Sequence, residues 1–341
     1  MGTSMRLPEP RGPLSAALTR DLATRTTVSE ATAERAARAA AASADALLDD
    51  DLQLSLAVCY ELHYRGFDGV TDDWEWDPEL LRLRAGLEQQ HLASLTRLVG
   101  PVTVTDEPVD RQITALIAAD DSPSLSSFMA KRGTLEQWRE YLTLRSVYHL
   151  KEADPHTFAI PRLSGRTKAA MVEIQADEYG GGSAARMHSE LFAGLLRDLG
   201  LDAGYGALWD DAPAAAFASV NTMSLFGLHR RWRGAALGHL TAVEMTSSEP
   251  SRRYSAGLRR LGFGERTTLF YDEHVEADAV HEQIASVDMC GSLVAEEPGI
   301  AGDVLFGAAC SLAMDGLAAR HLLDAWEAGR SALREERALA A

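Results

Sequence analysis

Three histidines and three acids in this chain have the types and spacings of metal ligands. His274, Asp278 and His281 stand at i, i+4 and i+7 in FYDEHVEADAVHEQIASVDM. At about 100° per residue these positions fall within roughly 60° of one another on a helix. Two imidazoles and a carboxylate along one helix face pack poorly in a core and ligate metals well. Two other segments offer partners. Glu152 follows Tyr148 by one turn in YHLKEAD, and Glu178 and His188 flank three glycines in EIQADEYGGGSAARMH. In one straight helix Glu178 and His188 would lie about 15 Å apart. A kink permitted by the glycines would shorten that distance and turn both side chains to one centre. The six residues Glu152, Glu178, His188, His274, Asp278 and His281 form a mixed N/O donor set. Such a set suits two Fe(II) ions, with manganese as a substitute, rather than a closed structural zinc site. Carboxylates that bridge two metals hold them close enough to reduce dioxygen together.

The elements that must position these residues are helical. Alanine, leucine, glutamate and arginine dominate, and alternating β-branched runs are missing. Periodicity and breakers predict helices over Thr27–Leu48, Asp50–Tyr64, Pro78–Val99, Arg111–Ala119 and Pro123–Lys131. Thr134 with Gln137 three residues on makes a capping box for the next helix, expected to end at Asp154-Pro155. Helices follow over Arg166–Tyr179, on past the glycines, and over Pro213–Phe226, Trp232–Ser247, Pro250–Leu261 and the His274 segment. Ile300–Leu333 closes the chain. Residues 1–25, proline-rich and aperiodic, are expected to be a flexible arm. Residues 26–335 are expected to form a single helical domain whose metal-binding core spans 130–290. A net charge of −17 argues against a nucleic-acid partner. No apolar h-region and no apolar run of spanning length are evident, so no membrane is expected. Cys59, Cys290 and Cys310 form no CxxC pair, and a reducing cytoplasm is the expected setting.

The segments YHLKEADPHTFAIPRLSGRTKAAMVEIQADEYGGGSAARMHSELF and FYDEHVEADAVHEQIA resemble the haem-oxygenase-like diiron oxidases, also called iron-containing redox enzymes. The resemblance covers about residues 125–330. It implies an all-α, haem-oxygenase-like bundle of about seven core helices, with an N-terminal helical extension here. It further implies two irons, O2 as co-substrate and a small-molecule substrate that is amino-acid-like or fatty-acid-like. Desaturation, C–C cleavage and N-oxygenation are its reactions; an external electron donor and a homodimer are possible partners. By analogy one iron takes Glu152, His188 and His281, and the other Glu178, His274 and Asp278. Members hold iron weakly, and the helix around 270–289 is expected to need metal for its order. Some N-oxygenating members carry a further glutamate three residues before the second-helix histidine. Ala185 stands there in this chain, which leaves desaturation or C–C cleavage more open.

Other readings of the same residues exist. Glu88-x-x-His91 and Asp278-x-x-His281 have the carboxylate-x-x-His spacing of ferritin-like diiron proteins, but that fold needs two strict Glu copies, and Glu88 with His91 is expected to be a helix-surface pair. A metal-free binding protein or cofactor-independent enzyme would use the six residues as polar pocket lining. A haem ligand at His63 is unexpected, because Tyr64, Arg65 and a glycine turn follow it. Tyr148, Phe158, Tyr179 and Phe192 are candidate pocket residues; Arg162 and Lys168 are candidate carboxylate binders. Glu244, an acid in an apolar helical run, has no assigned role.

Overall fold

A computed structural model describes residues 5–334, except the side chains of residues 276–280. Asp278 therefore lies outside the described side chains. Among the described residues there is no strand, only an isolated bridge between Met5 and Phe67. Helices pack around one continuous apolar core that runs from Met5 to Ala332.

The expected arm is instead part of this body. Pro13–Thr24 is a helix whose Leu14, Leu18 and Leu22 are buried. Asp51 accepts hydrogen bonds from the Leu14 and Ser15 amides at 2.9 and 2.7 Å, satisfying donors that a helix start leaves bare. The prolines that suggested mobility precede the helix or sit in its first position, where a missing N–H costs nothing.

Most other elements fall near their expected places. Pro78–Val99 has the expected bounds, and Leu135–His149 opens on the Thr134–Gln137 capping box. That helix ends earlier than the Asp-Pro signal suggested. Residues 150–153 form a turn, and Ala153 adopts φ +74°. Asp154–Thr157 is a new short helix with proline in its first turn. Glu88 and His91 are not a surface pair. Glu88 accepts from Tyr60 Oη at 2.9 Å and lies 3.0 Å from His229, while His91 bonds Gln53 and Thr222 in the core. His63 is structural, held between Glu75 and Arg84.

The long apolar helix Ala301–Glu327 is the post on which the site's rear wall stands. By length and composition it would cross a bilayer, but more than half of its apolar window is buried within the bundle. Helix Arg233–Thr246 packs along it at near backbone contact. A Cβ on Gly238 would meet Val304 O at 1.8 Å, and one on Gly307 would meet Ala235 O at 2.0 Å. Only glycine permits that approach, and it fixes the register of the helix that carries Glu244. A concavity of about 620 Å³ is formed by loop Leu62–Asp72 with Glu75 and contains none of the candidate ligands.

Candidate metal centre

Each ligand is delivered by a helix end or a helix face. Glu152 sits in the turn after Leu135–His149, and its neighbours pin that turn on both sides. Lys151 Nζ donates to Glu61 Oε2 at 2.8 Å, and Tyr205 Oη donates to Glu61 Oε1 at 2.7 Å. Lys151 and Glu61 are both buried, and the ammonium lies 4.2 Å from the centre of the Tyr64 ring. On the other side Gln175 Nε2 donates to Ala153 O at 3.1 Å, and Tyr179 Oη donates to Asp154 at 2.8 Å. The left-handed Ala153 costs on the order of 1–2 kcal/mol. It is retained where the surroundings over-determine the backbone.

Gly165–Glu178 stops at Glu178, and His188–Asp198 begins at His188. Gly180, Gly181 and Gly182 all have positive φ between these ends. Two short 3-10 turns, Gly180–Gly182 and Ala184–Arg186, bridge the break between the two helices. The break places Glu178 Oε2 2.9 Å from His188 Nδ1.

The third ligand helix is Glu265–Gln283, which runs into a π-helical segment, Ile284–Gly291. His274 Nδ1 donates to Phe270 O at 2.7 Å. That bond fixes the tautomer, and Nε2 lies 3.7 Å from Glu152 Oε1. The His274 ring stands 4.4 Å from that of His188. His281 lies between two acids, Nδ1 3.2 Å from Glu244 and Nε2 3.0 Å from Asp177.

Among the described side chains two overlapping donor groups result. Glu152, Glu178, His188 and His274 form one; Glu178, Glu244 and His281 form the other. Glu178 belongs to both, the position a bridging carboxylate requires. His188 and His281 therefore fall in different groups, unlike the pairing the resemblance implies. Glu152, Glu178, Glu244 and His274 line a cavity of about 20 Å³ together with Tyr148, His156, Gln175 and Ser247. That is room for about one water-sized group.

The electrostatics suit a cation. Burial alone would make Glu178 harder to ionise, but the charge and hydrogen bond of His188 outweigh it and hold the acid below its usual range. Burial likewise works against protonated His188, and Glu178 overrides it. At His281 the desolvation cost is exceeded by Glu244 and Asp177, lifting the imidazole to about 9. Without metal, protons thus do part of the work a cation would do. Glu152 Oε2 is buried without a hydrogen-bonding partner. A buried polar atom of this kind is costly unless satisfied, and a divalent ion coordinated by the oxygens and nitrogens of the site satisfies it. The donor set fits iron.

Several site residues were not singled out from the sequence. His149, one turn before Glu152, is buried against Phe192 and Phe270, and burial followed by Arg145 keeps it well below its usual pKa. His156 shares a hydrogen bond with His239 at 3.3 Å. Asp177 had no signal of its own. Glu244 did, as a lone acid in an apolar run, and its place beside His281 gives it a role. Of the proposed pocket residues Tyr148 lines the cavity, Tyr179 is tied to Asp154, Phe158 packs on Tyr64 and Phe192 on His149. Arg162 is occupied by the carbonyls of Gly227 and Leu228.

The chain is 24% identical over 232 residues to nitrosourea synthase of Streptomyces achromogenes subsp. streptozoticus, covering 66% of this chain and 49% of that protein. It thus spans about half the length of that relative. The model of the iron-containing redox enzymes matches residues 139–316, slightly more than half of the chain, and includes all six predicted ligands together with Glu244. This protein, an all-α bundle of the haem-oxygenase-like kind, belongs to the iron-containing redox enzymes and is an oxidoreductase.

Proposed function

We propose that this chain is a non-haem diiron oxygenase that uses O2 to oxidise a small nitrogen-containing metabolite. The observation that carries the reading is Glu178, a buried carboxylate common to two donor groups. One iron would take Glu152, His188 and His274, the other Glu244 and His281, with Glu178 between them. Asp278, on the same helix face as His274 and His281, is a further ligand in this proposal. When bound, the metal pair supplies electrons to O2.

The residues around it perform separate tasks. Phe270 O holds His274 in the tautomer whose Nε2 faces Glu152. Glu244 does the same for His281 through Nδ1, or ligates directly once a cation neutralises both. The ion pair of Lys151 with Glu61 anchors the Glu152 turn on a rigid helix, and positioning of this kind is what keeps a metal site competent. Tyr148 is half-buried beside the acids; desolvation, then Glu152 and Glu178, raise its pKa well above the usual phenol value. It therefore stays a proton donor at the cavity wall.

Of the three reaction outcomes, N-oxygenation has the better support. The carboxylate missing at Ala185 is matched by an extra one from another helix, Glu244, and the chain resembles a relative named for making a nitrosourea. The test is anaerobic titration with Fe(II) and metal counting, followed by exposure to O2 with candidate amines, amino acids and fatty acids. Two irons per chain and O2 consumption accelerated by a nitrogen-bearing compound are expected. Absence of iron binding above background overturns the reading, and a response confined to fatty acids overturns its nitrogen-directed part.

A further inference from the structure

Asp177 and Glu178 are consecutive residues on the last turn of one helix, yet they face different environments. Glu178 is buried between the two donor groups, whereas the Asp177 side chain is 60% exposed. Asp177 Oδ2 nevertheless reaches Nε2 of His281, a ring that is only 2% exposed, at 3.0 Å. Among the described residues no lysine or arginine pairs with Asp177. A solvent-facing carboxylate thus touches a buried ligand directly, while the interior holds a buried oxygen without a hydrogen-bonding partner at Glu152 Oε2.

We propose that Asp177 is the landing carboxylate through which a hydrated divalent cation enters the site; this rests on the metal-binding reading above. A divalent ion gives up hydration in steps, and losing all of it at the mouth of a cavity of about 20 Å³ would be prohibitive. An exposed carboxylate takes the ion with much of its water still in place. His281 is already within reach of that carboxylate, and Glu178 is the next residue of the same backbone. The ion advances by exchanging Asp177 for His281 and then for Glu178 and Glu244, each donor replacing a water. Since His281 has two ring nitrogens and two acid partners, loading must release one of them. Asp177 is the one that loses little, because water re-solvates it, while Glu244 lies in the core beyond the reach of solvent. Asp177 is then a port rather than a resident ligand.

The test follows Co(II) uptake into anaerobic metal-free protein by stopped-flow absorbance, at low salt and at about 0.5 M KCl. The proteins are wild type, Asp177→Asn, Asp177→Glu and, as control, Glu34→Gln, which removes an exposed acid from another helix. Asp177→Asn is expected to slow uptake by about three- to tenfold at low salt and less at high salt, with the final two ions per chain unchanged. Asp177→Glu and Glu34→Gln are expected to stay near the wild-type rate. An unchanged rate in Asp177→Asn overturns the port. A faster rate also overturns it, making Asp177 a latch on His281. A lowered final stoichiometry would make Asp177 a resident ligand and overturn it too. Wild-type protein that takes up no Co(II) overturns the metal reading itself and the port with it.

Discussion

Glu178 Oε2 lies 2.9 Å from His188 Nδ1, although nine residues, three of them glycines, separate them in the chain. The break between the helix that ends at Glu178 and the helix that begins at His188 brings the two side chains together. Gly180 is the residue on which that break depends. Its φ is +68°, and a Cβ there would lie 2.6 Å from both Arg186 C and Met187 N.

Gly180→Ala should therefore separate the two ligands, since backbone atoms cannot yield as a side-chain tip can. We expect lower stability and less than two Co(II) bound per chain at saturation. Gly181→Ala, where φ is also positive but nothing lies within 4 Å, should cost about 1–2 kcal/mol and keep both ions. Thermal melts and equilibrium Co(II) titration of the two variants distinguish these outcomes. Equal behaviour of the pair would remove Gly180 from its special position.

Glu244→Gln should lower metal occupancy toward one ion per chain, because the group around His281 loses its buried acid. Glu88→Gln is the matched control. Glu88 is also a buried acid near a histidine, but its partners are Tyr60, His229 and Arg84, so occupancy should stay at two. A fall in Glu88→Gln with none in Glu244→Gln would return the site to the other carboxylate-x-x-His motif.

The helical class and most helix bounds were legible because breakers and apolar spacing report local energetics. The Thr134 cap and Pro78–Val99 are examples. The ligand types were legible for the same reason: acids and imidazoles in apolar surroundings are costly without a partner. What local pattern does not carry is which partner. Nothing in the run around Glu244 points to His281, 37 residues away, since that contact is made by the glycine-notched packing of Arg233–Thr246 on Ala301–Glu327. Similarly, Glu88 and His91 read as a surface pair because their spacing is helical. Their burial depends on Tyr60, Gln53 and Thr222 from other helices. Pro13–Thr24 was hidden by its flanking prolines, which mark a helix start as readily as a mobile arm.

Lys151→Met should destabilise the protein by about 3–5 kcal/mol, as expected when a buried pair loses one member and leaves the other charge stranded. Glu61 would keep its hydrogen bond from Tyr205 but have no cation. The double variant Glu61→Gln, Lys151→Met should recover much of that loss, because no buried charge remains. Urea unfolding of the metal-free proteins provides the comparison. If the single variant were as stable as wild type, the pair would not be the anchor of the Glu152 turn.

The last prediction concerns acid. His91 is fully buried, and desolvation lowers its pKa to about 4, only slightly countered by Glu88. Unfolded, the same side chain titrates near 6.5. Above pH 6.5 both states are neutral at this residue, and it imposes no pH dependence. As pH falls below 6.5 the unfolded chain takes up a proton that the folded chain refuses, so stability falls with pH until about 4. The slope contributed by one such histidine is at most about 1.4 kcal/mol per pH unit, or roughly 2 kcal/mol between pH 7 and 5. His156 is lowered by burial to about 4 as well, and His239 well below its usual value. Wild-type acid sensitivity is therefore a sum, and His91 must be read by difference. In metal-free His91→Gln, which keeps a neutral donor and acceptor but does not titrate, the loss of stability from pH 7 to 5 should shrink by about that 2 kcal/mol. Urea midpoints at the two pH values measure it. An undiminished loss would mean that the folded protein already carries His91 protonated, contrary to its contacts with Gln53 and Thr222 in a dry core.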